Sequence, residues 1–154
     1  MPASSIKVIQ KIPASAEAVW NFFSNHANLQ QITLPQMHFR VISKYQGDHI
    51  YPGQIIEYKL RVLGIPVYWM TEITHVKENE FFVDEQRRGP YRLWHHQHFF
   101  APIPGGILMT DIVHYRNPGG MLGVLADKMY VKGKLQQIFD YRFRKVEAVF
   151  GKWQ

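Results

Sequence analysis

The chain has 154 residues, 46% apolar and 19% charged, enough to bury one core and too few for two ordinary domains, which excludes disorder and fibrous repeats. Without cysteine it can form no disulfide, thiolate nucleophile or iron–sulfur cluster, though a zinc site of histidines and carboxylates stays open. The net charge of +6 suits acidic partners or a membrane surface, but the basic residues are dispersed rather than gathered into an arm, which argues against nucleic acid.

A single domain over residues 1–154 is therefore expected. Lys7 and Lys11 interrupt the stretch that would have to be the apolar part of a signal peptide, and no apolar run approaches the ~20 residues of a bilayer span, so a cytoplasmic location is expected. Ser5 to Ile12 alternates, with Ile6, Val8 and Gln10 opposite Lys7, Ile9 and Lys11, and Pro13 stops this first strand. A helix follows. Ser15 is its N-cap candidate, Ala18 stands where a capping box needs Glu, Glu17 favours the positive helix end, and Val19, Trp20, Phe22 and Phe23 supply the apolar face. A second short helical stretch, Ala27 to Ile32, ends before Pro35.

Strand patterns then run from Phe39 to Tyr45, Gln54 to Leu63, Val67 to Lys77, Glu80 to Arg87, Tyr91 to Ala101 and Ile107 to Arg116. Gly64-Ile65-Pro66, Glu78-Asn79, Gly89-Pro90 and Pro102 to Gly106 separate them, and such short links imply an antiparallel meander. After Pro118-Gly119-Gly120 a long helix runs to about Phe150, with Leu135, Ile138, Phe139, Arg142, Val146, Val149 and Phe150 on one stripe. Gly133 inside it, ~1 kcal/mol worse than Ala, points to a bend or a close approach. The arrangement that buries both faces is α+β: a seven-stranded curved antiparallel sheet wrapped around the long C-terminal helix, with two short helices after the first strand.

Period two puts Phe82, Asp84 and Gln86 on one face, Trp94, His96, His98 and Phe100 on another, and Met109, Asp111, Val113 and Tyr115 on a third. If these faces are concave, Asp84, His96, His98, Asp111 and Tyr115 enter an apolar interior where each needs a partner. Arg142 would then pair with Asp111 or Asp84, the alternative being that it snorkels to the surface. His-x-His on a strand can aim two nitrogens at a metal with Asp84 or Asp111 as a third ligand, but no spacing anchors the remaining ligands; hydrogen-bonded histidines are the favoured reading, with no metal and no cofactor.

Three sequence blocks carry a resemblance: Phe82-Val83-Asp84-Glu85-Gln86, Gly89-Pro90-Tyr91, and Trp94-His95-His96-Gln97-His98-Phe99-Phe100. They are followed by Gly106, Met109, Asp111 and Tyr115, then Pro118, Leu122-Gly123 and Ile138-Phe139-Asp140-Tyr141-Arg142. Over nearly the whole chain the sequence resembles the helix-grip superfamily of START lipid-transfer domains, birch-pollen allergens and polyketide cyclases. Within it the nearest likeness is to bacterial ligand-binding SRPBCC proteins of the polyketide cyclase/dehydrase-like group. The resemblance implies a cavity between sheet and helix for a small, largely apolar molecule, and leaves activity open.

The residues themselves suit that cavity. Tyr58, Leu60, Trp69, Ile73, Trp94, Phe100, Met109, Leu125 and Met129 are candidate lining, together with Phe82, Asp84, Gln86, His96, His98, Asp111 and Tyr115. The expected function is binding of a lipid, sterol or polyketide-like molecule. The alternative is a cyclase or dehydratase with His96 or His98 as general base, Asp111 in the same acid–base group, and Tyr115 or Arg142 steadying an enolate. No nucleophile elbow or phosphate loop is present. Lys128, Lys132 and Lys134 near Met129, Tyr130 and Val131 mark either a transient membrane contact or, more commonly, the wet face of a helix. Monomer and homodimer are both compatible with the pattern.

Overall fold

The computed structural model describes residues 3–44, 47, 49–62 and 64–154, with Val124, Ala126, Asp127 and Lys128 described by their backbone alone. Strand β1 (Ser4–Ile12) leads into helix α1 (Ala16–Phe23), where Ser15 caps the first turn by accepting from the Ala18 N–H at 3.2 Å. Two 3-10 turns, His26–Gln30 and Pro35–Met37, follow. The first stands where an α-helical stretch was expected; the Asn25 side chain caps it by accepting from Ala27 N–H, and it ends within five residues.

Strands β2 (Arg40–Val41), β3 (Gln54–Val62), β4 (Ile65–Lys77), β5 (Phe81–Arg88), β6 (Leu93–Ile103) and β7 (Gly106–Arg116) complete one sheet. Its order is β1-β7-β6-β5-β4-β3-β2, with every neighbouring pair antiparallel. The turns use the residues their backbone demands: Gly64, Asn79 and Gly105 have φ of +78°, +62° and +88°. The second strand is shorter than expected. Glu57 N–H donates to the Ser43 hydroxyl instead of a backbone carbonyl, which stops the ladder; Tyr45 and Leu63, the ends assigned to two strands, lie outside the described residues.

The C-terminal helical region has a break that periodicity missed. Helix α2 (Gly120–Ala126) passes through one π-helical turn, Asp127–Val131, into helix α3 (Lys132–Phe150). The irregularity precedes Gly133, whose missing Cβ faces open space, so that glycine marks no close approach. Helix α3 buries Leu135, Phe139 and Val146 against the sheet, and Gln10 of β1 donates to the Phe143 carbonyl at 2.9 Å. Val149, placed on the inner stripe by its spacing, is 48% exposed. Among the described residues no helix is long and apolar enough to cross a membrane.

Two packed clusters result. Trp20, Phe23, Phe82, Phe100, Met109 and Val146 belong to one, where Trp20 meets Phe82 and Phe100 edge-on; Ile6, Val113, Tyr115, Leu135 and Phe139 form the other. At the start of β7, a Cβ on Gly106 would lie 2.1 Å from the Ile12 carbonyl oxygen and 3.0 Å from the Trp153 ring. Gly106→Ala must therefore push β1 away from β7. Denaturant unfolding is expected to show a loss of about 1–3 kcal/mol, against no measurable change for Gly133→Ala beyond its helix-propensity gain.

Candidate functional site

The site begins with strand register. On β6, His96 stands opposite Asp84 of β5, and His98 stands opposite Asp111 of β7. Because all four side chains project to the same face, each imidazole can reach both the carboxylate beside it and the one diagonal to it. The hydrogen bonds cross: His96 Nε2 donates to Asp111 at 2.9 Å and His98 Nε2 to Asp84 at 2.8 Å, the diagonal partner in each case. The second nitrogens face the other carboxylates, His98 Nδ1 at 2.8 Å from Asp111 and His96 Nδ1 at 3.6 Å from Asp84. The Nδ1–H of His98 is not aligned on the oxygen, so that contact is ionic rather than a hydrogen bond. The two rings lie 3.7 Å apart.

Arg142 of α3 turns inward instead of snorkelling to the helix end. Its Nη2 lies 3.6 Å from Asp111 and its guanidinium covers the Phe23 ring at 5.2 Å. Burial alone would raise both carboxyls, but Arg142 and the two histidines hold Asp111 well below the usual range, and His98 with His96 brings Asp84 down. Burial lowers His96 and keeps it neutral. The same burial acts on His98, yet Asp111 and Asp84 outweigh it and raise that imidazole. The two carboxylates are thus offset by Arg142 and by the raised His98, with the lowered His96 between them.

In front of this cluster a cavity of about 720 Å³ opens between α3, the first 3-10 turn and strands β3 to β6. Of the residues expected to line it, Tyr58, Leu60, Trp69, Ile73, Phe82, Asp84, Trp94, His96 and His98 do, and so does Arg142. Trp69 and Trp94 meet edge-on at 5.2 Å, with Tyr91 against both, and make one aromatic wall. Burial pushes the Tyr58 phenol up, so it stays protonated as a donor.

The other expected lining residues sit elsewhere. Gln86 closes the β5–β6 turn, donating to the Tyr91 carbonyl at 2.6 Å and accepting from its N–H at 3.2 Å. Phe100 and Met109 are packed in the core, Asp111 lies behind the two imidazoles, and Tyr115 is fully buried against Tyr91 and Trp94. Leu125 and Met129 point outward, 55% and 77% exposed, on a row with Met121. Lys132 and Lys134 are exposed beside it, while the Lys128 side chain lies outside the described residues. For Met109, Asp111 and Tyr115 the reason is depth, not face. Helix α3 packs against β1, and its Leu135 and Phe139 cluster with Val113 and Tyr115 of β7, so the hollow forms over the other half of the sheet.

Several lining residues escaped sequence reasoning: Leu29 from the first 3-10 turn and Ile32 just after it, Tyr91, and the cations Arg61 and Arg144, while Lys134, read only as a membrane-contact or wet-face residue, also reaches the cavity. The run from Ala27 to Pro35 has apolar residues but no period that would aim them. As for metals, Asp84, His96 and His98 can each bring one donor atom within 4.8 Å of the others. Those atoms already bond to carboxylates or imidazoles, so an ion there would have to replace the His98 proton.

No family model matches the chain, and no curated protein does. Solved structures do match. A protein from Chromobacterium violaceum is similar over 97% of this chain and 98% of its own, with a TM-score of 0.73 and 10% identity. A START superfamily protein from Mycobacterium smegmatis is similar over 94% and 98% (TM-score 0.67, 16% identity). Ginseng major latex-like protein 151 from Panax ginseng is similar over 97% and 99% (TM-score 0.70, 11% identity). The fold expected from the sequence, a helix grip of START-like type, is the fold of this chain.

The two imidazoles predict opposite pH limbs. Raised His98 favours the folded state fully below its unfolded value of 6.5, and that contribution fades as pH rises through the folded value. Lowered His96 acts in reverse, since folding is penalised as pH falls below 6.5 and the unfolded chain takes a proton the native one refuses. Together they place a stability maximum near pH 6.5 in denaturant titrations. The stability difference between wild type and His98→Gln should shrink steadily on the alkaline side; a constant difference would contradict a charged His98.

Proposed function

We propose that the protein binds a small, largely apolar molecule, of lipid, sterol or polyketide-like character, in the cavity between the sheet and α3. The observation that carries this reading is the hollow itself, about 720 Å³ and walled by Leu60, Trp69, Ile73, Phe82 and Trp94. That falls within the ~300–1,000 Å³ of small-molecule sites. A hollow in place of packed side chains weakens the fold, and a guest that fills it restores contacts. The neutral dye N-phenyl-1-naphthylamine is expected to bind saturably, gain fluorescence and raise the unfolding temperature. Leu60→Trp fills the space from β3 and should weaken that binding at least about tenfold without lowering the unfolding temperature.

A second reading, cyclisation or dehydration of a polyketide-like substrate, rests on one group. His96 is a neutral imidazole lining the cavity, its Nε2–H fixed by Asp111, which is the state a general base requires. Incubation with aromatic polyketides followed by mass spectrometry separates the readings. On the catalytic one, His96→Gln abolishes product while dye binding persists; on the binding one, wild type releases every polyketide unchanged.

A further inference from the structure

Arg142 is a nearly buried cation with a single long ion-pair contact among the described residues. Its side chain is only 12% exposed, yet its one ion-pair contact is 3.6 Å long; beyond that it covers the face of Phe23 and acts on Asp84 through space. Among the described residues the guanidinium makes no hydrogen bond. The reason is competition. Asp111 Oδ1 already accepts from His96 at 2.9 Å and lies 2.8 Å from His98 Nδ1, so the oxygen nearest to Arg142 is taken by shorter contacts. A guanidinium is planar and carries donors on every nitrogen, and leaving them unmatched in an apolar interior is unfavourable unless an acceptor arrives. Arg142 lines the cavity, so the open donors face the space where a guest would sit.

The rest of the lining agrees in sign. Arg61, Lys134 and Arg144 reach the cavity from exposed positions, against the acidic Asp84 and Asp140. Asp84 is matched by His98, and Asp140 accepts from Gln136 one turn away on α3. A guest therefore passes exposed cations and then meets an almost buried one, an arrangement that draws in and holds an anion.

We propose that the cavity is built for an amphiphilic acid, an apolar body ending in one carboxylate, and that Arg142 is the residue that binds the carboxylate. This rests on the apolar-guest reading above and narrows it to a ligand class. A carboxylate matches the guanidinium fork with two parallel hydrogen bonds, which a hydroxyl of the same chain cannot do. The apolar tail then lies along the Trp69, Trp94 and Leu60 side of the hollow.

The test uses bound N-phenyl-1-naphthylamine as reporter and dodecanoate and 1-dodecanol as competitors of equal chain length. In wild type, dodecanoate should displace the dye at concentrations about tenfold lower than dodecanol. Arg142→Gln should bring the two competitors together while dye and dodecanol affinities stay within about twofold of wild type, which also reports that the cavity has kept its shape. Arg142→Lys should retain part of the preference, and it serves if the glutamine variant does not fold. Equal competition by acid and alcohol in wild type overturns the inference but leaves the apolar-guest reading standing. A preference that survives in Arg142→Gln and disappears in Arg144→Gln or Arg61→Gln overturns the assignment to Arg142. Failure of dye, alcohol and acid alike refutes the apolar-guest reading and this one with it.

Discussion

The crossed contacts of His96 and His98 with Asp84 and Asp111 are the constraint around which the sheet is arranged. Two carboxylates in a dry interior demand compensating positive charge, and here it comes from His98 and from Arg142 across the gap. That demand locks register. The period of a strand is two, so slipping β6 by one residue against β5 and β7 would turn both imidazoles outward and strand the carboxylates inside. An all-apolar stripe would tolerate such an error better, since Leu, Phe and Trp pack acceptably in more than one register. The polar cluster thus specifies the pairing of β5, β6 and β7, the first two of which line the deep end of the cavity.

The hollow follows from where α3 lies. One helix cannot cover a seven-stranded curved sheet, and α3 seats on β1 and β7, with Gln10 fastening it at Phe143. Strands β3 to β6 are left to the 3-10 turns and the residues just after them, which bring Leu29, Ile32, Met37 and Phe39 over the far end without filling the space between. Large rings hold the wall open by meeting edge-on instead of stacking across it: Trp69 against Trp94, and Tyr91 against Trp69. Interlocked rings resist collapse into the void, which is how a cavity this size persists beside a close-packed core.

Much of this was legible in the residues. Alternation placed Phe82, Asp84, His96, His98, Asp111 and Tyr115 on inward faces, and inward they point, because nothing but a buried face explains bulky aromatics every second residue. Alternation says nothing of depth, however, which is why Met109, Asp111 and Tyr115 were grouped with the cavity wall although α3 covers them. The outward turn of Leu125 and Met129 was hidden for a different reason. A π turn of one extra residue puts the positions before it out of phase with the α3 stripe, and no local composition at Asp127–Val131 announces it. The 3-10 residues were out of reach too, since a chain without period aims its side chains by tertiary contact alone.

The same geometry narrows what chemistry the cavity could support. A general base must hold a free lone pair. His98 does not offer one, because both its nitrogens face carboxylates, which raise its pKa against burial. Tyr58 keeps its proton, and Tyr115 is shut away beneath the aromatic wall. Within this cluster Nδ1 of His96 is left, and Asp84 stands 3.6 Å from it, close enough to favour a proton there while burial opposes one. A neutral guest leaves that balance as it is. An acidic guest seated on Arg142 brings its charge beside the Arg142–Asp111 pair and reduces the positive potential felt by the carboxylates, which makes a proton on His96 easier to hold. Carriage of an acid and base catalysis by His96 therefore oppose each other electrostatically, and the near-neutral cluster is better suited to holding a guest than to deprotonating it.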